Sequence, residues 1–409
     1  MQEKMKQWVK EKQSIQDEAA RISNQLVEWR RGFHVFPELA FEERVTSSRI
    51  IQILQGIPGI EITQGFGDTT AVVGKLKGKN DTNAIMLRSP MDALPLQEET
   101  DLPFASCIPG VMHGCGHDAH MSVMLGVAKL LSNRRDMLGR SIVFVFQPAE
   151  EGLGGAKRLI EAGLLRTYNI SCALGLNFWP KYGYGKLLLR PGFMTALSDR
   201  FHVSVQGVGG HVAAPHLAVD PWTIVAHLIF AVQMLVSREI DPLESAVISF
   251  GQLEAGEAYN VIPEQIDMWG SLRALSPDVR DFLQSRLEEI VPLLAQTFRG
   301  LGIIKYQRNY PQVFNDEKLV DVVLNLAYEY MGKENVEILQ KPLMSGEDFA
   351  FYTQMIPSCF MLFGTGGKYW LHHPKYDVPE DLLPSAASWK AYLALRLSNM
   401  DFMEEGWIE

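Results

Sequence analysis

Residues 141–151 read SIVFVFQPAEE: an almost wholly apolar run rich in β-branched and aromatic residues, then Gln147-Pro148-Ala149, then two adjacent carboxylates, Glu150 and Glu151. A run apolar on both alternating faces suits a strand buried on both sides of a sheet. Runs of the same kind recur at AIMLR (84–88), CALGL (172–176) and CFMLFG (359–364). Helical patterns at 119–132 and about 154–165 fall between them. That alternation predicts an α/β fold with a mostly parallel sheet. Ahead of it, residues 1 to about 32 read as a polar-faced helix, with Ile15, Ala19, Ile22, Leu26 and Trp29 along one stripe.

A different rhythm starts near residue 197. RFHVSVQG alternates as a half-buried strand, and DPWTIVAHLIFAVQMLVS has Pro221 in its first turn and helical periodicity. AVISFGQLEAG and QIDMWGSLRAL read as strands, PDVRDFLQSRLEEIVPLLAQTFR as a helix and GIIKYQRNY as a closing strand. This β-α-β-β-α-β order predicts a ferredoxin-like α+β satellite inserted into the first fold. The expected division is a discontinuous larger domain, 1–196 with 311–409, around a satellite of residues 197–310.

The 409 residues carry 38 Lys+Arg against 48 Asp+Glu, a net charge of −10. An acidic balance argues against a nucleic-acid partner or an anionic membrane, both of which select clustered Lys and Arg. No apolar run reaches about 18 residues, so no membrane-crossing helix is expected. The opening MQEKMKQWVKEKQ lacks the apolar centre of a signal peptide. Four scattered cysteines (Cys107, Cys115, Cys172, Cys359) make no disulfide framework, which points to a reducing, cytoplasmic setting.

Polar residues gather in three places. His113-Gly114-Cys115-Gly116-His117-Asp118-Ala119-His120 packs five potential metal ligands into eight residues at a helix entry, with glycines on both sides of Cys115. Such a segment could also be a capped helix start with solvated histidines. Glu150 and Glu151 follow a buried strand, at the edge where open α/β sheets place their sites; elsewhere, adjacent carboxylates form solvated pairs. Like charges so close raise at least one pKa, as a general base requires. Leu371-His372-His373-Pro374 follows the run CFMLFG, and Asp92 follows AIMLR. Each is weak alone, the first being compatible with a surface loop. There is no G-x-S-x-G elbow, H-E-x-x-H helix or P-loop, so the segments together favour a metallohydrolase.

These motifs resemble the M20 peptidase family of dinuclear amidohydrolases, in particular its aminoacylase, hippurate hydrolase and indole-acetyl-amino-acid hydrolase branch. The resemblance runs through RRGFHVFPELAFEE (30–43), RSPMDALPLQEE (88–99), MHGCGHDAHMSVMLG (112–126), FQPAEEGLGGAKRLIEAG (146–163), GGHVAAPHLAVDP (209–221), NVIPE (260–264), GSLRAL (270–275), SGEDFAFY (345–352) and LHHPKYDV (371–378). It implies a catalytic α/β domain and a dimerising ferredoxin-like satellite. It also implies one or two divalent ions (Zn, Mn, Co or Ni) on Cys115, His117, Glu151 and His372. Glu150 would be the general base and Asp92 the carboxylate that orients a ligand. His211 would stabilise the oxyanion in a neighbouring subunit's site, with Asn260 and Arg273 holding the substrate, Arg273 by its carboxylate.

Two positions depart from the pattern. Asn177 in LGLNFWP stands where the family usually has a ligand His, and its amide oxygen is a poor substitute for imidazole. Pro90 in RSPMDALP replaces an acidic residue and removes a backbone donor. Both changes are expected to weaken the same side of a dinuclear centre. The expected activity is removal of the N-acyl group from an N-acyl-amino acid, or cleavage of a small dipeptide-like amide, by a cytoplasmic homodimer or higher homo-oligomer. The alternative is a catalytically impaired, dimeric small-molecule-binding protein. Phe178, Trp179 and Tyr369 could shape an acyl pocket or belong to the core.

Overall fold

The run at 141–146 forms the strand Arg140–Gln147 in the computed structural model, which describes residues 2–400. Every side chain of that strand after Arg140 is buried, as a run apolar on both faces demands. It lies in an eight-stranded sheet whose spatial order is Ile60–Gln64, Val72–Leu76, Arg140–Gln147, Asn80–Pro90, Ile170–Trp179, Ser358–Gly364, Leu187–Leu189, Val336–Ile338. The ladders joining the four central strands are parallel. Antiparallel pairs flank them on both sides.

Register decides what the sheet presents. Pro90 pairs with Gln147, and Asn177 with Leu362. The chain therefore leaves all four central strands at one edge, where Met91–Asp92, Pro148–Glu151, Asn177–Trp179 and the loop after Gly364 emerge together. The helix His117–Ser132, buried through almost its whole length, packs between the sheet and the helices Ser23–Val35 and Leu383–Ser398. Leu26, Leu125, Trp389 and Phe144 belong to that one core. The four cysteines are free thiols, only Cys107 being exposed.

This sheet and its helices make one unit: the chain up to Met194, Val313–Lys341 and the chain from Asp348. The other unit is Thr195–Gln312 with Pro342–Glu347, a return segment that the sequence pattern does not assign to it. Its sheet order is Ala246–Ala255, Gln265–Ala274, Leu197–Gln206, Leu301–Tyr310, antiparallel throughout. That is the ferredoxin-like arrangement expected from the element order. Its two helices start as their sequences dictate: Asp220 accepts the Trp222 N–H and Ser276 the Val279 N–H, each followed by a proline at the first helical position. Ile224, Leu228, Leu283, Leu287 and Val291 pack on Phe201, Val203, Ile266 and Met268.

Three details differ from the sequence expectations. The N-terminal helix is two, Gln2–Arg21 and Ser23–Val35, broken at Ile22. Ile22 departs from helical geometry at φ −91° and ψ 8°, while the bonds from Ile22 N–H to the Glu18 carbonyl and from Leu26 N–H to the Ile22 carbonyl still run across it. The pattern at 154–165 likewise divides into Gly155–Glu161 and Leu164–Thr167. Finally, Pro221–Glu239 is long and apolar enough to cross a membrane by length and composition alone. In the smaller unit its helical part buries Ile224, Val225, Leu228 and Val232 on one side and leaves Trp222, Phe230 and Met234 exposed.

Candidate active site

Cys115 and His117 are aimed by the glycine between them. Gly116 sits at φ 77°, and a Cβ there would fall 2.8 Å from Val378 Cγ2, so the turn into the helix needs glycine twice over. His117 Nδ1 donates to the Asp92 carbonyl oxygen at 2.8 Å. That bond fixes the tautomer and leaves the lone pair on Nε2, which lies 3.8 Å from Glu150 Oε2.

Asp92 is the hinge of this arrangement. Its Oδ2 accepts the Glu151 N–H at 2.8 Å, while Oδ1 lies 3.5 Å from His117 Nδ1 and accepts no hydrogen bond. Burial alone would raise its pKa, but the contact and charge of His117 and the Glu151 N–H hold it below the usual carboxylate value. His117 shows the reverse balance. Burial lowers its pKa, and Asp92 more than compensates.

Two donor groups converge beside it. The ligand atoms of Cys115, Glu151 and His372 all lie within 4.8 Å of one another, and so do those of His117, Glu150 and Glu151. Glu151 belongs to both, with its Oε1 3.4 Å from His372 Nε2. Its Oε1 is buried without a hydrogen-bond donor, as is Asp92 Oδ1. Buried carboxylate oxygens left so are costly, and a thiol, imidazoles and carboxylates are the donors that zinc and its neighbours prefer. The residues present fit a divalent cation. His372 itself adopts φ 64°, unusual for a non-glycine residue, and its N–H donates to the Gly114 carbonyl at 2.9 Å. The strained residue thus locks its loop to the segment that carries Cys115.

A polar network lies beside Glu150. Arg88 and Gln147 both bond the carboxylate of Asp348, at 2.5 Å and at 2.7–2.9 Å, and Arg88 Nε also donates to Gln147 Oε1. Asp348 also accepts the Ala156 N–H at 2.9 Å, and its own N–H faces Glu150 Oε1 at 3.5 Å. Ala149, at φ 57°, gives its N–H to Glu43 Oε1 at 3.0 Å. The turn then closes through Gly155, where a Cβ would overlap the Pro148 carbonyl oxygen. Glu43, Arg88, Gln147 and Asp348 have no assigned role in the sequence reading. The signal available is a polar residue where burial is expected: Arg88 and Gln147 end two apolar strands.

Not every residue of the dense segment joins the site. Asp118 turns away to Arg30 and His34. His120 Nε2 accepts the Phe178 N–H at 3.1 Å, and its ring stacks on Phe178, which is core. His113 is buried with both ring nitrogens unbonded, and burial pushes its pKa down to about 4. Asn177 is buried at its strand end with Oδ1 unpartnered, and Pro90 closes its own strand. Trp179 is buried edge-to-face against Trp370, and Tyr369 stacks on His373.

His211, Asn260 and Arg273 all belong to the smaller unit. There His211 pairs with Val261, and Val212 N–H donates to the Asn260 carbonyl at 3.4 Å, so those two residues are neighbours on an exposed ribbon. His211 Nδ1 accepts the Ala213 N–H, which leaves Nε2 to carry the ring proton. Arg273 lies apart from them, on the strand Gln265–Ala274, with its guanidinium against Gly346.

The family described as Peptidase family M20/M25/M40 matches residues 86–395. A thermostable carboxypeptidase of Saccharolobus solfataricus is 34% identical over 95% of this chain and 99% of its own length. The hippurate hydrolase of Campylobacter jejuni is 38% identical over 93% of this chain and 97% of its own. Among solved structures, a dinuclear metal-binding M20 peptidase of Bacillus subtilis superposes with a TM-score of 0.75 at 31% identity, covering 92% of this chain and 99% of that one. The chain belongs to the M20/M25/M40 family and is an amide-bond hydrolase.

The buried Glu43 yields a pH prediction. Burial, resisted by the Thr70 hydroxyl, pushes its pKa from 4.5 up to about 7. A carboxyl whose folded pKa is raised favours the fold below about pH 4.5, and that contribution is lost as pH rises through 7. Glu43→Gln removes the titration. Urea unfolding of wild type and variant should diverge with rising pH between 4.5 and 7, wild type losing up to about 3 kcal/mol relative to the variant. Parallel curves would contradict the assignment.

Proposed function

From its place in this family of amide-bond hydrolases, we propose that the chain removes the N-acyl group from N-acyl-amino acids, or cleaves a dipeptide-like amide. The proposed ligands of a divalent cation (Zn, Mn, Co or Ni) are Cys115, His117, Glu151 and His372. What carries the reading is the convergence of thiol, imidazole and carboxylate donors within 4.8 Å at the edge where the central strands end. A bound divalent cation supplies Lewis-acid polarisation of the scissile carbonyl and makes water more acidic. Glu150 takes a proton from the attacking water and returns it to the amine nitrogen as the C–N bond breaks; the new carboxylic acid then loses the second water proton, leaving a carboxylate and an ammonium. Asp92 keeps the His117 ring in place from one side and the Glu151 backbone from the other.

The smaller unit supplies the remaining groups. His211 and Asn260 donate to the developing oxyanion, and Arg273 forks onto the substrate's free carboxylate. We assign His211 to the neighbouring subunit's site in a cytoplasmic homodimer. The exposed apolar residues Trp222, Phe230 and Met234 on one helix of that unit favour such an assembly. Asn177, with its unpartnered amide oxygen, favours one tightly held cation over two. Asn177 and Pro90 also motivate the second reading, a dimeric small-molecule-binding protein that has lost turnover.

Amino-acid release from hippurate and N-acetyl-methionine with added Mn or Co tests the activity. Glu150→Gln should lower kcat by about 10²–10⁴-fold with metal content unchanged; no release over a broad acyl panel by the metal-loaded chain would favour the silent reading. Asn177→His should raise the bound metal from nearer one ion per chain toward two, read by elemental analysis, and two tightly held ions in wild type would remove the argument. Mixing inactive His211→Ala with inactive Glu150→Ala should restore turnover through mixed dimers. Failure to complement in dimers shown to be mixed would place His211 outside the partner's chemistry.

A further inference from the structure

The face of helix Ser23–Val35 that looks inward carries an unusual burden. Arg30 is 1% exposed, yet it meets three carboxylates: Asp118 through Nε at 2.7 Å, Asp377 through Nη2, and Glu380 through Nη1 at 3.4 Å. Those carboxylates belong to two different segments. Asp118 is the residue next to His117, while Asp377 and Glu380 lie five and eight residues beyond His372. One turn along the same helix, His34 shares Asp118 Oδ2 at 2.7 Å and reaches Glu98 Oε1 at 3.0 Å. The neighbouring Glu99 N–H donates to the Pro374 carbonyl at 2.8 Å, beside His372 again. Phe104 lies under both Arg30 and Arg31, with each guanidinium carbon 4.7 Å from the ring centre.

We propose that Arg30 is a positioning residue of the metal centre: by joining Asp118 to Asp377 and Glu380, its buried guanidinium sets the spacing between the helix that begins at His117 and the loop that carries His372. This rests on the metal reading given above. The loop from 365 to 379 has no helix or strand of its own, so a few backbone bonds, such as those of His372 and Pro374, and its side-chain contacts set its course. A guanidinium suits that task because it is planar, always charged and fork-shaped, and each of its donors has a fixed direction. Burying it costs desolvation that an apolar side chain of similar volume would avoid, so stability alone is a poor reason to keep it there. The fork turns one helix face into a spacer. Arg31, bonded to both oxygens of Glu380 at 2.7–2.8 Å, holds that carboxylate for it.

The test uses the full chain, stripped of metal and titrated with Co(II). The thiolate-to-cobalt absorption of Cys115 reports occupancy, affinity comes from competition with a chelator, and urea unfolding of the metal-free protein reports the fold. Cys115→Ser is the control that should lack the band. Arg30→Lys keeps the charge but loses the fork, and Asp377→Asn with Glu380→Gln removes the loop side of the clamp at partly exposed positions. Both should weaken Co(II) binding by about 10–100-fold, well beyond what any fall in the metal-free unfolding midpoint accounts for. Affinity within about twofold of wild type in both overturns the proposal, as does a loss of affinity that only tracks a loss of metal-free stability. If Arg30→Lys fails to fold, the double variant decides alone. A wild type with no Cys115-dependent band overturns the metal reading itself, and the clamp falls with it.

Discussion

Asp348 is carried into the interior with no exposure, and Arg88 meets it there together with the Gln147 amide and the Ala156 N–H. The parts of the larger unit that matter for chemistry are arranged around this problem of negative charge taken out of water. Glu43, Asp92 and Glu150 are buried within the same edge of the sheet, and Glu151 is half-buried beside them. Each has its own compensation: a proton held up to about pH 7, with the Ala149 N–H, for Glu43, His117 and the Glu151 N–H for Asp92, the Asp348 N–H for Glu150. Glu151 Oε1 is left over. In a medium of low dielectric such repulsion is not screened, and a cation is the economical answer.

Much of this was legible in the sequence because burial and chemistry write different signatures. The parallel centre showed as four apolar runs, and the inserted sandwich showed as a change of period from mixed α/β to alternating strands. Cys115, His117, Glu150, Glu151 and His372 announced themselves by ligand type at strand and helix ends, and the structure gathers them. His113, Asp118 and His120 carried the same signature and went elsewhere. Residue type cannot say which way a side chain leaves a turn. That depends on Gly116 and on partners 80 or more residues away, such as His34 for Asp118.

What stayed hidden was the support. Arg30, Glu43, Gln147 and Asp348 are ordinary polar residues whose importance lies in being buried, and burial of a polar residue follows from long-range packing. The same holds at Asn177. Its identity was visible as a departure from pattern, but only the fold puts its carbonyl oxygen in the interior with nothing to bond. Two buried arginines lie near the candidate centre, Arg88 held by Asp348 and Arg30 by Asp118, Asp377 and Glu380, all from distant parts of the chain.

The strand Ser358–Gly364 fills the place beside Ile170–Trp179, and the helix Leu383–Ser398 packs on His117–Ser132. A ribosome delivers these pieces last. From Trp179 to Ser398 the chain grows by 219 residues, which takes on the order of 10–40 s at about 5–20 residues per second. Through that interval one edge of the strand that carries Asn177 has no neighbour to bond, and one flank of the buried helix faces water. The ferredoxin-like sheet, drawn from the contiguous stretch Thr195–Gln312, is complete well before then. Nascent chains of this protein therefore pass through a stage in which the later-emerging unit is finished and the earlier one is an open, apolar-edged half, and that half is where chaperones or aggregation would act.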